Sequence, residues 1–267
     1  MQEKYGKGLL KSNHSFYPSF QWGRGEKVRM YKYEISRKIE EFAPLETQED
    51  WDCSGWGVNV EGYDEIRKLM LCLTVTDDVV KQAKEQNCDM IVSHHPMFYI
   101  NCHSELVSES YTPQINVYCA HTNLDKAQGG TTDTIIEKLG LSKYKIKIEH
   151  DFLRVIDYKT SVEDFNNLIK QISPNARIIN NKNVRELKKI AFCAGSGSEF
   201  INDAQEFGAD CLVTGDLKFH TALDSEIVVY DIGHFESEVL VLPVFERIIG
   251  DKVEIVYARE KSPFSQI

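Results

Sequence analysis

Short apolar runs alternate along this chain with stretches of helical period, the pattern of an α/β protein whose strands are buried. Tyr31, Ile35, Ile39 and Phe42 recur at helical spacing, and Pro44 ends that helix. Leu69 to Val75 then predicts a strand, Thr76 or Asp77 caps a helix running to about Gln86, and Met90 to Ser93 returns as a strand. This β-α-β order predicts parallel strands joined by a right-handed crossover. Ile115 to Ala120 is a further strand. Gly129-Gly130 and Thr131-Thr132 then introduce a helix with Ile135, Ile136 and Leu139 on one face, closed by Gly140.

The same alternation continues in the second half. Leu153 to Ile156 predicts a strand, and Ser161-x-x-Asp164 reads as a capping box opening a helix with Phe165, Leu168, Ile169 and Ile172. Ile190 to Ala194 leads into Gly195-Ser196-Gly197-Ser198 and a helix from about Glu199 to Phe207. Strands at Cys211 to Thr214 and Ile227 to Tyr230 follow, then a long helix from Phe235 to Ile249 and a closing strand from Val253 to Tyr257. Trp51 to Gly57 reads as a glycine-containing loop. Residues 1–29 show neither period and read as a poorly ordered extension, with Met30 an alternative start.

Two passages can be superposed. Gln82 to Ser93 lies over Asp203 to Thr214, each running helix, Asp, apolar strand and hydroxyl residue, before His94-His95 in one and Gly215-Asp216 in the other. A duplicated α/β half with a site between the copies explains the likeness, although any two β-α-β units share its outline.

Composition narrows the function. Hydrophobic residues make up 42% and charged residues 27%, ordinary for a globular protein. Asp and Glu outnumber Lys and Arg by 41 to 31, and the formal charge of -10 disfavours nucleic acid as the main partner. The seven cysteines are scattered and never spaced C-x-x-C, which reads as reduced core residues of a cytoplasmic protein. No apolar stretch approaches the roughly 18 residues of a membrane span, and the first 29 residues lack a signal peptide's apolar core.

Candidate chemistry gathers where strands end. Met90 to Ser93 runs into His94 and His95, stopped by Pro96; alternation along an extended chain predicts imidazoles that diverge, suiting two separate metals. Alone, the pair is equally consistent with a polar strand end. His234 and Glu238, four residues apart, share a helix face, and Asp125 stands at the end of another strand. Such a nitrogen and oxygen set suits zinc, manganese or iron better than calcium. Gly195 to Ser198 after a strand resembles a phosphate cradle, but Phe200 takes the last glycine position of the dinucleotide fingerprint, which favours a tight turn.

Together these residues resemble the Nif-three-like dinuclear-metal proteins, often labelled homologues of a type 2 GTP cyclohydrolase I. The matching motifs are Trp51-Asp52 with Gly55, Ser93-His94-His95-Pro96, His121-Thr122-Asn123-Leu124-Asp125, and Gly129-Gly130 before a helix ending Leu139-Gly140-Leu141. They continue with Gly195-Ser196-Gly197, Thr214 to His220, and Asp231 to Glu238, so the resemblance runs from Met30 to about Tyr257. It implies that His94, His95, Asp125, His234 and Glu238 hold two divalent ions per chain, with Glu238 bridging. It also implies a three-layer α/β fold of two similar lobes, about 30–150 and 151–267, with the metal site between them. A ring-shaped homohexamer with sites facing an internal cavity is implied too, in a short form without the domain that longer relatives insert. Two departures, Cys53-Ser54 after Asp52 and the lack of glycines from Phe152 to Tyr158, touch no ligand.

His121, Asp216 and His220 lie in matching motifs and are candidates for orienting ligands or moving protons; satisfying strand ends and loops is an equal reading. The function expected is a metal-dependent hydrolase using a metal-activated water on a nucleotide-like, phosphoester or cyclic amide substrate. The rival is a non-enzymatic metal-binding, metal-delivering or regulatory scaffold protein, since the same ligands serve both.

Overall fold

A strand whose consecutive residues are all apolar must be covered on both faces, and both large sheets of this protein meet that demand. The computed structural model describes residues 29–97, 115–148 and 150–265. The expected extension lies outside them, apart from Arg29.

In chain order the strands are β1 Met30–Tyr31, β2 Gly55–Val58, β3 Glu65–Ile66, β4 Lys68–Thr74, β5 Met90–His95 and β6 Asn116–Cys119. They continue as β7 Lys147–Ile148, β8 Arg154–Ser161, β9 Arg177–Ile179, β10 Glu186–Phe192, β11 Cys211–Thr214, β12 Val228–Asp231 and β13 Glu254–Tyr257. The first sheet has the order β13-β4-β5-β6-β2, the second β7-β8-β10-β11-β12-β9, and β1 pairs with β3. Each large sheet is built on a parallel centre, β4-β5-β6 in one and β10-β11-β12 in the other.

Alternation sorts the side chains. Leu69, Leu71, Met90, Val92 and Tyr118 pack with Ile35 and Ile39 of the helix Lys32–Phe42 and with Phe245 and Ile249 of the helix Leu242–Ile249. Met70, Cys72, Ile91 and Val117 pack with Val79 and Ala83 of the helix Asp77–Glu85. In the second sheet Ile190, Phe192, Val213 and Tyr230 meet the helices Thr131–Lys138 and Val162–Ile169 through Ile135, Ile136, Phe165 and Ile169. Ala191, Leu212 and Val229 meet Ile201 and Ala204 of the helix Ile201–Glu206. The expected α/β class and three-layer order are therefore present, with helices on both sides of each sheet.

The division between lobes differs from expectation. Helix Thr131–Lys138 packs into the core of the second sheet, and β7 joins that sheet. Helix Leu242–Ile249 and β13 return to the first, where β13 runs parallel to β4. A single cut near residue 150 thus does not describe the packing, because apolar faces found cover in the other lobe.

The two passages that superpose in sequence superpose in hydrogen bonding. Asp89 accepts the backbone N–H groups of Arg67 and Lys68 through Oδ2, and Asp210 accepts those of Lys188 and Lys189 in the same way. The residues at the ends of the two helices, Asn87 and Gly208, both take positive φ, at 55° and 75°. The registers also correspond: Leu69 pairs with Met90, and Ile190 with Cys211.

Three local readings change. The loop Trp51 to Gly57 ends in a strand, β2, antiparallel to β6. Asp125 lies on a short helix, Thr122–Lys126, where a strand end was expected. The single helix from Phe235 to Ile249 is three pieces: His234–Glu238, a 3-10 turn Val239–Val241, and Leu242–Ile249. Pro243 in the first turn of the last piece explains the break, since proline lacks an N–H and clashes with the preceding turn.

Candidate metal centre

β5 continues as strand through both His94 and His95, so neighbouring strand ends hold the two rings. His94 Nδ1 donates to the Ala120 carbonyl just beyond β6 at 3.0 Å, and His95 Nδ1 pairs with the Thr74 hydroxyl at the end of β4 at 2.7 Å. Their Cβ atoms alternate as expected, yet the rings do not diverge. Their centroids lie 5.1 Å apart, and these anchors turn both rings back toward one carboxylate, that of Glu238.

His121 follows β6 and opens the short helix that carries Asp125. Its Nδ1 donates to Asp52 Oδ1 at 2.9 Å, while Asp52 Oδ2 accepts from the Thr122 backbone N–H at 3.0 Å and hydroxyl at 2.6 Å. One carboxylate thus orients the imidazole and satisfies an open N–H of the helix start. In the sequence Asp52 is only a member of the Trp51-Asp52 motif, with no role of its own. Thr74 went unnoticed; its only local signal is a hydroxyl closing an apolar strand, and the β4–β5 register sets it opposite His95.

From the second lobe, the helix His234–Glu238 brings its imidazole and carboxylate onto one face, with His234 Nε2 and Glu238 Oε2 2.9 Å apart. His234 Nδ1 donates to Asp216 Oδ2 at 2.7 Å. Glu238 Oε2 also lies 2.8 Å from His95 Nε2, and its Oε1 lies 3.9 Å from His94 Nε2. Asp125 Oδ1 approaches His94 Nε2 to 3.5 Å.

Four histidines therefore have Nδ1 engaged by an oxygen: Ala120, Thr74, Asp52 and Asp216 supply them. This leaves Nε2 as the atom each can offer inward, the arrangement that fixes tautomer and orientation in metal-binding histidines. Two overlapping groups have ligand atoms within 4.8 Å of one another: His94, His95 and His121, and His95, His234 and Glu238. His94 Nε2 and Asp125 Oδ1 are buried with no hydrogen-bond partner. Leaving a buried polar atom unpaired costs about 1–3 kcal/mol, and a cation between the two would satisfy both, so the residues present fit a divalent ion.

Electrostatics agree. Burial works to depress the His94 imidazole, but the Asp125 and Glu238 carboxylates overcome it and hold it up to about 9. His234 is likewise carried to about 9 against burial, by Glu238 and Asp216. Burial keeps His95 below its ordinary value. Burial also raises Asp125, whereas the imidazoles around Glu238 overcome its burial and hold its carboxyl well below the usual range. Without an ion, protons sit where positive charge is wanted.

The glycines of the second lobe make room for this cluster. A Cβ on Gly195, whose φ is +62°, would lie 2.2 Å from Glu238 Oε1, and one on Gly215 would lie 2.8 Å from the His234 backbone nitrogen. The N–H groups of Gly195 and Gly197 donate to the Ser237 and Thr214 hydroxyls. The Gly195 to Ser198 segment is thus the tight turn favoured over a phosphate cradle. His220 is not brought to the cluster; it lies exposed on the helix Phe219–Asp224, its ring edge-on to Phe219. That helix turns Phe219 and Leu223 outward while Ala222 packs on the second sheet, and no described contact joins His220 to a candidate ligand.

A family model described as Duf34/NIF3 (NGG1p interacting factor 3) matches residues 30–263. The chain belongs to the DUF34/NIF3 family. Within it, the chain is 34% identical over 261 residues to the GTP cyclohydrolase 1 type 2 homolog of Clostridium perfringens, covering 88% of this chain and 98% of that one. It is 30% identical over 222 residues to the protein of the same name from Clostridium acetobutylicum, covering 75% and 82%. Among solved structures, reduced HcgD from Methanocaldococcus jannaschii is similar with a TM-score of 0.76 at 28% identity, covering 88% of this chain and all of that one. A Bacillus cereus protein related to NIF3 shares the fold, with a TM-score of 0.78 at 17% identity over 90% of this chain and 100% of its own. No helix among the described residues is long and apolar enough to cross a membrane.

Proposed function

We propose that this DUF34/NIF3 protein is a metal-dependent hydrolase built on a dinuclear centre. His94, His95, Asp125, His234 and Glu238, joined by His121, would hold two divalent ions, with zinc, manganese and iron suited to the donor set. The observation that carries this reading is the set of four imidazoles anchored at Nδ1, with Nε2 left toward two carboxylates. Glu238 suits a bridging role because its two oxygens face different histidines.

Bound divalent ions supply Lewis acidity and lower the pKa of a water from 15.7 toward about 7. The chain's own residues orient and open the site. Asp52 and Asp216 fix the His121 and His234 rings, and Asp216, exposed beside His234, is placed to take up or release a proton at its free oxygen. Structural metal sites are closed by protein ligands. Here the His234 side chain is 35% exposed, which favours an open position and a hydrolase over a scaffold role.

Nucleotide-like, phosphoester and cyclic amide compounds are the substrates to screen, and the name of the clostridial relatives points to the first. Turnover that disappears with chelation and in His234→Ala is the expected result. Full metal content with no turnover across the screen would return the protein to the metal-binding alternative. The ring-shaped homohexamer belongs to this proposal, and Phe219 and Leu223, exposed four residues apart on one helix, are available to such contacts. Light scattering at several concentrations tests it.

A further inference from the structure

A cleft of about 380 Å³ opens beside His234, and its lining includes Asp216, His234, Glu236, Arg177 and Phe264. Its chemistry is uneven in an informative way. Two of its carboxylates are already answered: Asp216 by His234, and Asp231 by Arg177. Asp231 is held in turn by the backbone N–H groups of Gly233 at 3.1 Å and Leu217 at 3.3 Å. Arg177 therefore stands on a rigid support. One guanidinium nitrogen, Nη2, is tied to a carboxylate whose side chain is 4% exposed, while the arginine side chain itself is 70% exposed. A planar fork fixed at one corner and open elsewhere is preorganised to receive a phosphate or carboxylate.

Phe264 supplies the opposite character. It is 81% exposed and has no ring partner among the described residues. The segment leading to it is pinned to the first lobe at Arg259 and Glu260. The Glu260 carboxylate accepts the backbone N–H groups of Leu73 at 2.7 Å and Thr74 at 3.0 Å, and Arg259 exchanges two hydrogen bonds with Gln82. The chain end thereby reaches from β13 to the cleft and sets an aromatic face beside it. Glu236, the carboxylate left over, suits a ring N–H or amino group.

We propose that this cleft receives a planar, amino-bearing ring that carries an anionic group, the chemistry of a nucleoside monophosphate. The ring stacks on Phe264, its donor edge meets Glu236, and the phosphate is taken by Arg177. This deepens the proposed function and rests on it for which bond reacts. Binding itself is independent of turnover.

The test is calorimetric titration of metal-loaded full-length protein with guanosine and adenosine 5′-monophosphates, the matching nucleosides and inorganic phosphate, with metal content measured on each sample. R177Q keeps a donor for Asp231 and removes the charge; nucleotide affinity should fall at least about tenfold, with nucleoside affinity changed less than about twofold. F264A should weaken nucleotide and nucleoside alike by about tenfold and leave inorganic phosphate unaffected. Equal nucleotide affinity in wild type and R177Q, nucleotide binding no tighter than that of inorganic phosphate, or no binding by fully metal-loaded protein each overturns the proposal. Should R177Q lose its metal, F264A, which touches no candidate ligand, decides the matter alone. Missing metal in the wild type would count against the dinuclear reading instead.

Discussion

The two lobes carry the same β-α-β unit and end it differently. In the first, the strand ends in His94-His95 and the short helix two connections later carries Asp125. In the second, the corresponding strand ends before Gly215-Asp216, and the corresponding helix carries His234 and Glu238. One lobe thus offers candidate ligands from a strand end and a short helix, the other from a helix alone. The difference is steric. Gly215 occupies the place of His94, and a side chain there would collide with the backbone at His234. Removing the side chain lets the second helix close onto the first lobe's histidines, whereas symmetric copies would set bulk against bulk. The scaffold bonds of Asp89 and Asp210 stayed alike because they only fix strand ends.

The largest test of this division of labour is Glu238→Ala. It removes the group facing both histidine sets, and elemental analysis should fall from about two ions per chain to fewer than one. Asp125→Ala should lose less, because the His95, His234 and Glu238 group remains.

Arg154 tests how the lobes are joined. It is fully buried on β8, pairs with Asp133 at 2.7 Å, and donates to the carbonyls of Asp125, Lys126 and Ala127 at the end of the Asp125 helix. Arg154→Met leaves Asp133 unpaired and should cost about 3–5 kcal/mol in urea unfolding. Weaker metal retention should accompany it, as the helix loses its pin.

Asp89→Ala and Asp210→Ala sharpen the pseudo-symmetry. Each strips the same pair of backbone N–H groups, so each should cost roughly 2 kcal/mol with metal content unchanged. Unequal losses would show that the likeness is only geometric.

Acidity separates ligands from scaffold. His94 and His234 are raised to about 9, so without metal their stabilising effect is full below pH 6.5 and is lost as pH rises through about 9. Glu238 is held low, so its contribution is present above about 4.5 and is lost as pH falls below that value. Chelated protein should therefore melt a few degrees lower at pH 9.5 than at pH 7. Metal-loaded protein should change little across that range, and uptake of metal at pH 7 should release protons.

The smallest effect falls on a cap that only one of the two matching segments has. The Thr76 side chain accepts the Val79 N–H at 3.2 Å, whereas Gly197 stands at the matching position because its Cβ would press on Cys193. Thr76→Ala should cost about 1 kcal/mol with metal binding intact.

Local pattern alone determined the alternation of strand and helix, a cap at Thr76 or Asp77 that the structure places on Thr76, the Ser161 cap over Asp164, and the residues from which ligands could be drawn. These depend on neighbours within about four positions, which a sequence displays directly. Tertiary structure decided that the His94 and His95 rings converge, that His121 joins them while His220 stays outside, and that β13 returns to the first sheet. Each of those depends on a partner far along the chain: Asp52 lies 69 residues from His121, and Glu238 lies 143 from His95. A ring's direction is set by the hydrogen bond its far nitrogen makes, and only packing brings that acceptor into place.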